Sequence, residues 1–145
     1  MTATGSPGNP NPNLSKPMLV HHFLRALARV NRAAPKQSHA RRSRRIRCAA
    51  YASMAAAAGP GRRWSRVLLR RLRSSPSSHR RRISVRVARP PRIATASSRV
   101  ETLRRLVPGG RSLGYCSLLE ETADYVRWLD AQVQLMQSLV DFFSS

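Results

Sequence analysis

Acidic residues are nearly absent from this 145-residue sequence: six Asp and Glu stand against 27 Lys and Arg, for a net charge of +21. All six (Glu101, Glu120, Glu121, Asp124, Asp130 and Asp141) fall after residue 100. Residues 1–100 hold 23 of the cations and no acid, whereas 101–145 hold four cations and are net −2. A stretch at +23 without counter-charges repels itself and attracts phosphate and other polyanions. The same absence argues against an enzyme. His21, His22, His39 and His79 all lie in the acid-free part, so no catalytic triad or acid–base pair forms locally.

Cysteine is scarce as well. Cys48 and Cys116 fit neither a metal-ligand spacing nor a disulfide scaffold, which points to a reducing compartment and to no metal or other cofactor. Lysine is reduced to Lys16 and Lys36 beside 25 arginines. A GC-rich coding sequence would give the same excess, so no site is read from it. No apolar run approaches the ~18 residues of a membrane span. The stretch Met18 to Val30 is interrupted by Arg25 and Arg29, unlike a secretory signal. No phosphate-cradling glycine loop is present. Neither membrane contact nor a small-molecule ligand is expected.

Residues 1–17 are rich in Pro, Gly, Asn and Ser and read as a disordered tail. Residues 18–73 read as a basic helical region. Leu19, Phe23, Leu27 and Val30 recur at helical spacing until Pro35, as a short satellite helix or a partner-binding face. An alanine-rich helix follows over 39–58, stopped by Gly59-Pro60-Gly61. Residues 62–73 then place Trp64, Val67, Leu68 and Leu72 on one side, with Trp64 a packing anchor between the two helices. Residues 74–96 are a basic linker, in which Ile83, Val85 and Val87 alternate without a strand to pair with.

Residues 97–143 carry the clearest pattern. Ser98 and Glu101 have capping-box spacing, and Val100, Leu103, Leu106 and Val107 form an apolar face ended by Pro108-Gly109-Gly110. A short helix over about Arg99–Val107 is expected, then a loop of about ten residues. Ser117 and Glu120 repeat the capping spacing, with Glu120 and Glu121 placed to suit a helix dipole. The second helix runs from Leu118 to about Phe143, nearly 40 Å at about 1.5 Å per residue. Along it Leu119, Thr122, Val126, Leu129, Val133, Met136, Val140 and Phe143 alternate steps of three and four, a heptad seam. Leu118, Tyr125 and Leu139 flank it, Trp128 and Leu135 widen it, and Asp124 and Asp130 read as solvated. Fully buried, eight such residues represent more than ~10 kcal/mol. One short helix cannot cover them, so the pattern predicts dimerisation, homo or hetero, through these eight residues and Val100, Leu103, Leu106 and Val107. The expected fold class is all-α, a C-terminal helix–loop–helix dimerisation module behind a basic N-terminal region, partly helical and partly disordered.

The strings LRRLVPGG (103–110) and LLEETADYVRWLDAQVQLMQSLV (118–140) resemble the plant basic helix–loop–helix (bHLH) pattern. In that family LVPG closes helix one and L-x-E-x-x-x-Y-V-x-x-L-x-x-Q-V opens helix two. The ending QVQLMQSLVDFF, with RRWSRVLLRRLR upstream, resembles the atypical plant group called ILI-binding bHLH. The specific match covers 97–143, with weaker similarity over about 39–73. The resemblance implies a regulator that pairs with HLH or bHLH proteins and restrains cell elongation downstream of brassinosteroid and gibberellin signals.

DNA-binding members continue helix one into a basic region whose Glu accepts a hydrogen bond from cytosine N4. Counting back from LVPG, Arg89 stands at that Glu, Pro90 at the neighbouring Arg and Val85 at the family's His. Arg89 has no acceptor, and Pro90 and Pro91 each cost ~3 kcal/mol inside a helix. The Ser98 capping box also starts helix one too late to include them. No sequence-specific DNA contact is therefore expected from the chain alone. The expected function is antagonism of a bHLH partner's DNA binding or activity. The run Arg41, Arg42, Arg44, Arg45 and Arg47 is a candidate for nuclear import or polyanion contact. The alternatives are a basic nucleic-acid-binding protein, or an organelle-imported one, whose C-terminal helices serve as a homodimer clasp.

Overall fold

The computed structural model describes residues 12–32, 38–74 and 96–145. They fold as five α-helices: α1 Pro12–Arg32, α2 His39–Ala58, α3 Arg63–Arg73, α4 Ala96–Leu106 and α5 Tyr115–Ser144, with a 3-10 turn at Gly110–Ser112. No strand occurs among the described residues, and the fold is all-α.

The first helix reaches further back than composition suggested. Residues 12–17, expected as disordered tail, are helical; Pro12 suits a first helical position, and Pro17 lies inside without an N–H to donate. Leu19 and Phe23 are buried, Leu27 and Val30 half-buried, which places the expected apolar face inward. That face packs on α2, where Ala50, Ser53, Met54 and Ala55 are buried and the alanines allow close approach. At the end of α2 Gly59 takes φ 75°, a conformation open to glycine, and its N–H donates to the Ala56 carbonyl at 3.3 Å.

The chain then turns into α3 and places Trp64, fully buried, at the centre of the molecule. Leu19, Met54, Ala55 and Val107 complete the core cluster. From α5, Tyr125, Trp128, Leu129 and Leu135 pack against it. Thus α1, α2 and α3 form a layer laid along one side of the long C-terminal helix. At about 1.5 Å per residue, the 30 residues of α5 span about 45 Å.

Candidate pairing surface and the clasp behind it

Two faces of α5 have opposite fates. Tyr125, Trp128 and Leu135 are half-buried against the three-helix layer, and Leu118 and Gln132 on the helix are buried. On the other side Leu119, Val126, Val133 and Val140 are exposed, Val126 at 54% and Val133 at 63%. Successive members of that row are seven residues apart, nearly two helical turns, so they lie in one line along the helix. Thr122, Leu129 and Met136 are half-buried at the edge between the faces, and Phe143 is exposed at the end.

Helix α4 contributes less of the seam residues. Leu106 is 68% exposed, while Val100 and Leu103 are half-buried. Val107 differs from the rest: it is 4% exposed and sits in the chain's own core. The turn after it explains this. The N–H of Val107 donates to Leu103 O at 3.0 Å, and Gly110 N–H to Val107 O at 2.9 Å. Gly109 adopts φ 81°, and a Cβ there would lie 3.0 Å from the Val67 side chain of α3. Arg104 donates from Nη1 to the carbonyls of Gly110 and Leu113. Arg63 reaches from α3 to Ser112 Oγ at 2.7 Å. The Val107-Pro108-Gly109-Gly110 turn is therefore a plug fitted against α3 as well as a helix stop.

Behind the exposed row lies a polar clasp that sequence reasoning missed. The Glu121 carboxylate accepts the backbone N–H of Arg63 at 3.0 Å and of Trp64 at 2.8 Å. It thereby caps the N-terminus of α3, which has no side-chain cap of its own and no acid in its first turn. One turn along, Asp124 Oδ2 accepts the Trp64 indole N–H at 2.9 Å and pairs with Arg62 at 3.4 Å. Asp124, read as solvated, is 7% exposed. Trp64 stacks at 50° on Tyr125, ring centres 5.1 Å apart. Burial pushes the Tyr125 hydroxyl up to about 12, helped by Tyr51 and opposed by Arg71.

Both capping-box assignments need correction. Ser98 lies inside α4, where its carbonyl accepts the Thr102 hydroxyl at 2.9 Å. Ser117 lies inside α5, whose N-cap is Gly114 with no side-chain cap bond. Glu120 and Glu121 are accordingly beyond the first turn, and Glu121 serves a different helix. The described part of α4 begins at Ala96, two residues before Ser98. Val85, Arg89 and Pro90 lie outside the described residues. On α2, Arg41, Arg42, Arg44 and Arg47 are exposed and Arg45 is half-buried; Arg42 donates to Asn31 Oδ1 at 2.8 Å. Among the described residues no cluster of His, Cys, Asp or Glu is arranged to hold a metal ion, and no helix is long and apolar enough to cross a membrane.

Comparison with known proteins gives this arrangement a context. Residues 17–76, most of α1 through α3, match the family described as IBH1-like, N-terminal domain. The chain is 48% identical to Transcription factor IBH1 of Oryza sativa subsp. japonica, over 90% of its own length and 80% of that protein's. It is 30% identical to Transcription factor bHLH149 of Arabidopsis thaliana, over 71% of the chain and 55% of the relative. With Transcription factor PAR1 of Arabidopsis thaliana it shares 41% identity over 30% of its length and 37% of that protein. No solved structure matches the chain. The family match falls on the three-helix layer, whereas the sequence pattern pointed most specifically to residues 97–143.

Proposed function

The chain belongs to the IBH1-like family of plant transcription factors, and from that premise we propose that it acts by pairing through α4 and α5 with other helix–loop–helix proteins. It is a transcription regulator of helix–loop–helix type and not an enzyme. The observation that carries the pairing reading is the row Leu119, Val126, Val133 and Val140, exposed on α5 although three helices pack on the helix's other side. Continuous apolar rows of this kind favour a partner over water, at about 25 cal/mol per Å² covered.

The pairing would withdraw a DNA-binding partner from its site. Arg89, Pro90 and Val85 replace the residues that the resembled family uses to read DNA. A heterodimer would then hold one reading head where two half-sites require two. Each lost base-pair contact removes ~1–3 kcal/mol. In a plant cell, this makes the chain a nuclear antagonist of bHLH activity and a restraint on cell elongation in brassinosteroid and gibberellin signalling. The arginine run of α2 serves as its import signal. A gel-shift titration tests the mechanism. Added protein is expected to lower a bHLH partner's binding to E-box DNA without shifting the probe itself. A supershifted ternary complex, or retention of the partner on DNA, would overturn it.

A further inference from the structure

Neither the clasp nor the pairing surface uses the groove between the end of α2 and α3. It has a volume of about 710 Å³ and is lined by residues between Ala55 and Ser74, with none from α4 or α5. Its floor is small and apolar: Ala55, fully buried, then Ala56, Gly59 and Leu69. A Cβ at Gly59 would meet nothing within 4 Å, so the space above that turn is open. Such a surface lets a second helix approach closely, because few side chains hold it away. Ala56 is exposed and Leu69 half-buried, which leaves apolar area for a partner to cover.

The rim is basic. Arg66, Arg70 and Arg73 line the groove and are all exposed. Steps of four and three set them along one line of α3, spanning about 10 Å at about 1.5 Å per residue. Arg66 donates to the Pro60 carbonyl. The Arg70 and Arg73 guanidinium groups have neither a hydrogen bond nor an ion pair among the described residues. The chain's N-terminal part offers them no counter-charge, since residues 1–100 contain no acid. Glu121 and Asp124 are engaged at the other end of α3. Three like charges held in line repel one another, and an incoming row of carboxylates relieves that repulsion.

Carboxylates at steps of four and three on a partner helix have the same spacing as the three arginines. A nucleic-acid backbone would satisfy the rim but leave the floor uncovered, because phosphate gains nothing from Ala56 and Leu69. We propose that this groove docks an acidic amphipathic helix of a partner protein. Its small apolar residues lie on Ala55, Ala56 and Gly59, and its carboxylates on Arg66, Arg70 and Arg73. The site is separate from α4 and α5 and does not depend on the pairing reading. It gives the three-helix layer, where the family match falls, a contact of its own.

The test uses the full chain and labelled peptides of about 18 residues, long enough to form helical turns. One is built of Leu, Ala and Glu, with the Glu row beside the apolar face. A second has Gln in place of Glu, and a third is scrambled so that the two rows no longer share a side. Fluorescence anisotropy at low salt is expected to show the first binding about tenfold tighter than either control, with the gap to the Gln peptide closing as salt rises. Arg70→Glu/Arg73→Glu should weaken its binding by at least about tenfold. Ala56→Trp, which fills the groove from an exposed position, should abolish binding and keep the urea midpoint of the wild type. Failure of the first peptide to bind, equal binding of the scrambled one, or binding that Ala56→Trp leaves unchanged overturns the proposal. Duplex DNA held more tightly than the peptide, with loss in the arginine variant and none in Ala56→Trp, makes the rim a polyanion contact and overturns it too. Self-association of the chain that Ala56→Trp removes makes a second copy the occupant, with the same consequence.

Discussion

Replacing Glu121 by Ala removes the two acceptors that hold the first turn of α3, 3.0 and 2.8 Å from the N–H groups of Arg63 and Trp64. Nothing local substitutes for them, because the N-cap residue Arg62 makes no capping bond and α3 has no acid in its first turn. Loss of a helix N-cap costs ~0.5–2 kcal/mol, and hydrogen bonds to a charged group are worth ~1.5–3 kcal/mol. The expected loss is about 2 kcal/mol. With a urea slope of ~1–3 kcal/mol per molar, the midpoint should fall by about 1 M at unchanged slope. Urea titration followed by tryptophan fluorescence reads this directly, since Trp64 sits in the clasp. Glu120→Ala is the matched control: it has the same charge and helix, but Glu120 is exposed. Its effect should stay within about 0.5 kcal/mol. Equal shifts for the two variants would refute the clasp, because charge or helix propensity would then account for both.

Three further outcomes follow from other parts of the molecule. Gln132→Leu removes a buried amide with neither atom satisfied, so it should raise stability by about 1–2 kcal/mol in the same urea assay. Gly110→Ala should cost about 1–3 kcal/mol, because a Cβ there lies 3.0 Å from the Arg104 carbonyl and 3.1 Å from Leu118. Gly61→Ala, which meets nothing within 4 Å, is its neutral control. Tyr125 should ionise near pH 12 in an ultraviolet titration of the folded chain. Its folded value lies above the ordinary value of 10, so its contribution to stability is complete below pH 10 and is lost between pH 10 and about 12.

The parts of this fold legible in the sequence were those set by local rules. Periodicity found the helices, Gly59-Pro60-Gly61 and Pro108-Gly109-Gly110 ended two of them, and steps of three and four marked the apolar rows of α5. Periodicity could not say which row the chain itself would cover. Tyr125 looked like a flank to the main stripe, and it packs on Trp64 of α3, while Leu118 is buried beside Gly110 of the turn after α4. The capping boxes failed for a related reason. Ser98 and Ser117 have the right spacing to Glu101 and Glu120, yet both helices begin upstream of them. The clasp joins residues 57 to 62 positions apart, beyond any local pattern. One signal for it was present. A buried Trp64 needs an acceptor for its indole N–H, α3 opens on Arg and Trp without a cap, and residues 1–100 contain no acid. Any carboxylate for that corner had to come from the C-terminal segment.

The proposed pairing depends most directly on the exposed row of α5. Val126 and Val133 are 54% and 63% exposed in the folded chain, so Val126→Glu/Val133→Glu should leave its helical content and urea midpoint nearly unchanged. The same variant places two carboxylates in the middle of the proposed seam. Capture of bHLH proteins by the full chain, compared between wild type and this variant, is the decisive measurement. Several partners held by the wild type and almost none by the folded variant is the predicted result; undiminished capture by the variant would contradict the account.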